Sequence, residues 1–230
     1  MMKLPRPGCW YRFTPEDWHF IGECLGLNQS NKNSLAAMCD DPDVVRFVAD
    51  HPKLFQTLLL GRGTAVLSPE LFFFVVVRHT LKEIGVEDME VADYIAVVCA
   101  DHGMSARNSA PQPKAAPPRL YSIDYLQALE TAGSHEKFFI HVQCANQFMV
   151  LTCLFPSFLH HRAERRGAPD VEFYEGMVVT HLEAAGRHAL AEEFALDDVL
   201  MRLSGAFPPV RRAMNHTLRE YLYLGTEPNI

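Results

Sequence analysis

Residues 137–155 read KFFIHVQCANQFMVLTCLF, the longest strongly apolar stretch in the chain. It shows no sustained apolar/polar alternation, so a half-buried strand is a poor account of it. At nineteen residues it far exceeds the usual strand and suits a helix buried on nearly all sides. The shorter run LFFFVVV at 71–77 reads the same way. The overlapping run CANQFMVLTCLFPSFL (144–159) carries Asn146, Gln147, Thr152, Pro156 and Ser157. A membrane span needs about 20 mostly apolar residues, so these runs are expected to be central helices of a soluble bundle.

The punctuation around these runs is helical. TPEDW (14–18), DPDVV (41–45) and SPELF (68–72) each place a capping residue before proline, with carboxylates in the first turn. Proline at that position forfeits only an N–H that has no partner in the helix, and the carboxylates face the positive end of the dipole. Gly26, Gly61, Gly85, Gly103, Gly133, Gly167 and Gly205 follow apolar-periodic segments, where a helix stop is expected. The pattern predicts about ten helices, at 15–25, 34–39, 42–60 with an interruption at Pro52, 69–84, 88–101, 122–131, 135–154, 157–166, 171–194 and 197–222. The last two are expected to break, at Gly186 and around Pro208–Pro209. The fold class is therefore all-α, an irregular multi-helix bundle around 69–84 and 135–154.

A chain of 230 residues can bury a sizeable core, and 48% hydrophobic content with 21% charged residues is ordinary for a globular protein. The segment SARNSAPQPKAAPP (105–118) holds four prolines and little to bury, and reads as a surface loop or linker. Since each flanking half contributes one strongly apolar helix, a single domain over 1–230 is the expectation. The net charge is −7, and acidic residues outnumber basic ones on both sides of Pro118. That balance gives no footprint of a nucleic-acid binder. Six cysteines never form a C-x-x-C pair, which removes zinc-ribbon, thioredoxin-type and covalent c-type haem spacings. The N-terminal MMKLPRPGCWYRF has no apolar core of a signal peptide, and a reduced, cytoplasmic setting is expected.

Candidate sites centre on histidines and amides. In FYEGMVVTHLEAAGRH (173–188), His181 and His188 are seven residues apart, about 10.5 Å along a helix axis, too far for easy sharing of one ion. Glu183 lies about 200° around from His181 and cannot join them. No metal site is expected there. A carboxylate-bridged di-iron bundle needs two E-x-x-H pairs, and the chain offers one, Glu16–His19. His19–Glu23, His79–Glu83 and His160–Glu164 read as helix-stabilising i,i+4 pairs. His79 follows a buried run, however, so it could also face a ligand.

The stretch 137–155 is the most informative. Gln143 and Gln147 share a face, whereas His141 and Asn146 diverge by about 140°, so not all of them can face water. Burying an amide without a partner costs roughly 1–3 kcal/mol. Each must find another helix, a water or a ligand. His79, His141, Gln143, Asn146, Gln147 and His181 are thus the candidate ligand-binding residues.

Catalytic searches find no G-x-S-x-G, P-loop or G-x-G-x-x-G, and no catalytic residue is named. Cys144, near His141, sits in an apolar run that raises its pKa. HHRAERRG (160–167) and VRRAMNHTLRE (210–220) read as solvated basic clusters that could also receive phosphate. LFPSFLHHRAERRGAPDVEFYEGM (154–177) and VRRAMNHTLREYLYL (210–224) resemble an uncharacterised all-helical bacterial protein family with no assigned activity. The resemblance implies an all-helical fold and a bacterial cytoplasm, and brings over no site residue. The expected function is a non-catalytic binding or interaction module with a regulatory role, taking a small-molecule ligand or a protein partner. The alternative is a helical enzyme or a haem- or metal-binding protein using histidines inside the bundle. No cofactor is specified, and neither nucleic acid nor membrane is an expected partner.

Overall fold

The computed structural model describes residues 4, 7–38, 40–60, 67–103 and 122–221. Among these residues are twelve α-helices, one short 3-10 helix and no strand, so the fold is an all-α multi-helix bundle. The chain divides into two compact units, Pro5–Ala100 and Asp101–Ile230, with Met1–Leu4 grouped with the latter. The proline-rich stretch 105–118 lies outside the described residues.

In the first unit a 3-10 turn (Cys9–Arg12) precedes α1 (Pro15–Cys24), α2 (Gln29–Ala37), α3 (Pro42–Ala49), α4 (Pro52–Leu59), α5 (Pro69–Glu83) and α6 (Met89–Gly103). The three expected starts are present. Thr14 and Asp17 form a reciprocal capping box, Asp41 accepts from the Asp43 N–H, and Ser68 accepts from the Leu71 N–H. Each cap precedes a proline at the first helical position. Pro52 likewise begins α4 and separates it from α3. Helix α2 begins five residues before the expected 34, because the Asn28 side chain caps it through the Asn31 N–H. Gly26 and Gly85 take left-handed conformations just after α1 and α5. Residues 73–77 of α5 and 91–100 of α6 are buried throughout and form this unit's core.

The second unit holds α7 (Ser122–Thr131), α8 (Ser134–Leu154), α9 (Pro156–Arg166), α10 (Val171–Gly186), α11 (Ala189–Glu193) and α12 (Asp197–Tyr221). Helices α8, α10 and α12 pack on one another, with α8 buried continuously from Cys144 to Leu154. Phe148 of α8 stacks on Tyr174 of α10 at 4.8 Å between ring centroids. Among the described residues no single helix is long and apolar enough to cross a membrane. The apolar run 144–159 is split between α8 and α9, which meet at 94°.

The break at Gly186 is present, but the one at Pro208–Pro209 is not. Both prolines and Gly205 lie inside an uninterrupted α12. Each proline removes one backbone hydrogen bond and crowds the carbonyl four residues back, at about 3 kcal/mol in a helix interior. Leu203, Phe207, Val210, Met214 and Leu218 keep one buried apolar stripe running across them. At about 1.5–3 kcal/mol per buried side chain, that stripe outweighs the two prolines. Gly205, whose carbonyl Pro209 crowds, is exposed, and a Cβ there would meet nothing within 4 Å.

Candidate functional site

The polar residues of α8 divide by direction. Gln143 is exposed, His141 half-buried, and Asn146 and Gln147 are buried. Gln147, 9% exposed, uses its side-chain carbonyl to accept a 2.5 Å hydrogen bond from the hydroxyl of Tyr125, a fully buried residue of α7. The amide's burial cost is thus met by a neighbouring helix. Tyr125 carried no signal in the sequence beyond being an aromatic in a short helix.

His141 meets a histidine from another helix. Its Nδ1 lies 2.8 Å from Nδ1 of His181 on α10, and the ring centroids are 4.9 Å apart. The rings therefore approach nitrogen to nitrogen, the geometry of an N–H···N hydrogen bond. One ring must carry its proton on Nδ1 while the other carries it on Nε2. Burial pulls the His181 pKa down to about 4, with a smaller contribution from His141. Burial, then the charges of His188 and Lys137, lower that of His141. Both rings are neutral near pH 7.

His188 does not join this pair. It caps α11, its Nδ1 accepting from the Leu190 N–H at 3.1 Å. The proton is then on Nε2, which donates to the Ser134 carbonyl at 3.1 Å. Nor does His79 stand with them in the second unit. On α5 of the first unit it stacks on Phe55, with centroids 3.5 Å apart, and lies 3.3 Å from Glu83. Among the described residues no group of three or more His, Cys, Asp or Glu side chains could hold a metal ion.

Buried charge is concentrated in places the sequence did not mark. Arg211, within a basic run read as solvated, pairs with Glu175 of α10 and donates to Asn215 at 3.2 Å. Asn215 in turn donates to the carbonyls of Thr152 and Cys153, so α8, α10 and α12 are tied together. In the first unit Arg78, 2% exposed, grips Asp50 through two nitrogens at 2.7 and 3.1 Å, and Lys82 adds a third contact at 2.9 Å. Burial pushes the Asp50 carboxyl up, but the hydrogen bonds and charges of Arg78 and Lys82 outweigh it and lower its pKa. Asp93, on α6, accepts from the backbone N–H groups of Gly8 and Cys9. Burial raises its pKa to about 6 despite those bonds and the nearby Arg12 charge. The sequence hint for Arg78 was its place directly after seven apolar residues.

An open groove of about 730 Å³ lies in the first unit between α1 and α4. Glu16, His19, Phe20, Glu23 and Cys24 on α1 face Lys53, Gln56 and Thr57 on α4, with Pro15, Leu60 and Leu67 completing the lining. The spacing on each helix is three and four residues, so each presents one face to the groove. Phe20 is buried beneath it, while Leu60 is 70% exposed. Glu23 holds His19 at 3.1 Å and Lys32 at 3.6 Å. Lys32 lies so close over Gly22 that a Cβ there would come within 2.4 Å of its Cγ. Burial raises the Cys24 thiol pKa, with a hydrogen bond to Thr57 partly opposing it. The His19–Glu23 pair was visible in the sequence, but nothing there showed that α4 would stand opposite it.

No protein-family model, curated protein or solved structure matches this chain.

Proposed function

We propose that the protein is a non-catalytic binding module whose ligand is a small amphipathic molecule seated between α1 and α4. The observation that carries this reading is the groove itself. Its volume of about 730 Å³ falls in the range of small-molecule sites, and its apolar residues are edged by a few polar ones. Phe20, Leu60 and Leu67 would take the apolar body of the ligand. Lys53, Gln56 and Glu16 offer opposite charges and an amide to a polar end. The setting we infer is a reduced, cytoplasmic one, in which the buried Cys9, Cys99, Cys144 and Cys153 serve as small apolar core side chains.

The test is a screen of small amphipathic compounds by amide NMR on the full chain. Bound compounds are expected to shift signals at 15–24 and 53–60, and Gln56→Trp, which fills the groove, should abolish those shifts. Binding that persists in Gln56→Trp, or shifts confined to other helices, would refute the assignment.

The alternative, a haem- or metal-binding protein, draws on one observation: two neutral imidazoles from separate helices face each other at His141 and His181. Their head-on contact would have to open before an ion could enter. Elemental analysis and a visible spectrum of the purified protein decide it, since stoichiometric metal or a Soret band would favour this reading over the groove.

A further inference from the structure

We propose that His141 and His181 form an acid-sensitive latch between α8 and α10, which holds with at most one added proton and opens when a second arrives. The proton count follows from the geometry. In the neutral pair one Nδ1–H donates to the other Nδ1 across 2.8 Å. The donor ring has a free lone pair on Nε2, and the acceptor ring already carries its proton on Nε2. A first added proton goes to the donor's Nε2 and leaves the N–H···N bond intact. A second can go only to the accepting Nδ1. Two N–H groups of two cationic rings would then point at each other, and the contact must break.

The surroundings favour the neutral state. His181 is 5% exposed. Lys137 on α8 adds positive charge near His141, as does His188 at the start of α11 once it is protonated. The carboxylates flanking His181 along α10 are engaged by cations, Glu175 by Arg211 of α12 and Glu183 by Arg187. No carboxylate, from these helices or from α7 or α9, contributes to the shift of either ring. The half-buried His141 is the ring that water can reach, so it is the natural entry point for the first proton.

The latch is separable from the groove, which lies in the other unit. It is tested on the full chain by long-range ¹H–¹⁵N NMR of the imidazoles from pH 8 to pH 4, with amide hydrogen exchange along α8 and α10. At pH 7.5 one ring of the pair is expected as the Nδ1–H tautomer and the other as Nε2–H. The His181 ring should titrate near pH 4, as its depressed pKa requires. Protection of amides around 141 and 181 should fall on the order of fiftyfold between pH 7.5 and pH 4.5, after correction for intrinsic exchange. In His181→Gln that fall should disappear. Both rings as Nε2–H tautomers at pH 7.5, ordinary titration of His181, or unchanged protection in the wild type would each overturn the proposal. The tautomer and titration readouts come from the wild type, so they stand even if the variant folds poorly.

Discussion

Glu175→Ala removes the carboxylate that neutralises Arg211 inside the second unit. The two side chains are only 16% and 10% exposed, so the guanidinium would be left charged, with little water to replace its partner. Breaking a buried pair by removing one member costs about 3–5 kcal/mol. The lower end applies here, because Arg211 keeps its hydrogen bond to Asn215. A loss of about 3 kcal/mol corresponds to a fall in Tm of about 12 °C at roughly 4 °C per kcal/mol for a unit of this size. Glu175→Gln retains an acceptor and should cost clearly less. The double variant Glu175→Leu/Arg211→Met removes both charges and should recover most of the loss, since apolar replacement of a buried pair is often neutral. Urea unfolding followed by far-UV circular dichroism is the suitable assay. Both tryptophans, Trp10 and Trp18, belong to the first unit, so their fluorescence would not report this change directly. A Glu175→Ala protein within 0.5 kcal/mol of wild type would refute the burial argument, as would a double variant no more stable than the single one.

Tyr125→Phe should destabilise by about 1–3 kcal/mol, because it removes the hydroxyl from which the buried Gln147 carbonyl accepts, and adding Gln147→Leu should return part of that loss. A double-mutant cycle measures the coupling, and a coupling near zero would show that the 2.5 Å bond contributes nothing net. The two units should respond oppositely to mild acid. His181 has its pKa lowered from 6.5 to about 4 on folding, so the unfolded chain binds the proton more tightly. Its contribution, about 3 kcal/mol at 1.36 kcal/mol per unit, is present above pH 6.5 and is lost as the pH falls toward 4. Asp93 has its pKa raised from 3.8 to about 6, so its contribution is fully present below pH 3.8 and is lost as the pH rises through 6. Asp93→Asn should flatten the first unit's pH dependence over that window, read by fluorescence of Trp10 beside the clamped Cys9. An unchanged slope would show that Asp93 is not the group responsible.

What could be read in the sequence was local. Thr14, Asp41 and Ser68 cap helices through N–H groups two or three residues away, so their spacing alone revealed the starts. The prolines at 208 and 209 misled for the complementary reason: a local rule predicts a break, but the buried stripe from Leu203 to Leu218 is a tertiary property and prevails. Distance in sequence also hid the partners of the candidate residues. The composition of α8 required that Gln147 be satisfied somewhere, yet Tyr125 lies 22 residues away with an ordinary loop between. Arg211 looked like solvated surface because Glu175, which neutralises it, is 36 residues upstream.

The histidines show the limit most clearly. Although α10 ends at Gly186 and His188 instead caps α11, helical rise had already set the two rings of 173–188 far apart. It could not reveal His141 as the ring that His181 meets, 40 residues earlier on another helix. Both are candidates in the sequence, His141 as a polar interruption of an apolar helix and His181 as one histidine of the 173–188 stretch, and the same physical requirement explains why they meet. A buried imidazole needs a hydrogen-bond partner, and across α8 and α10 the two histidines supply one to each other as complementary tautomers.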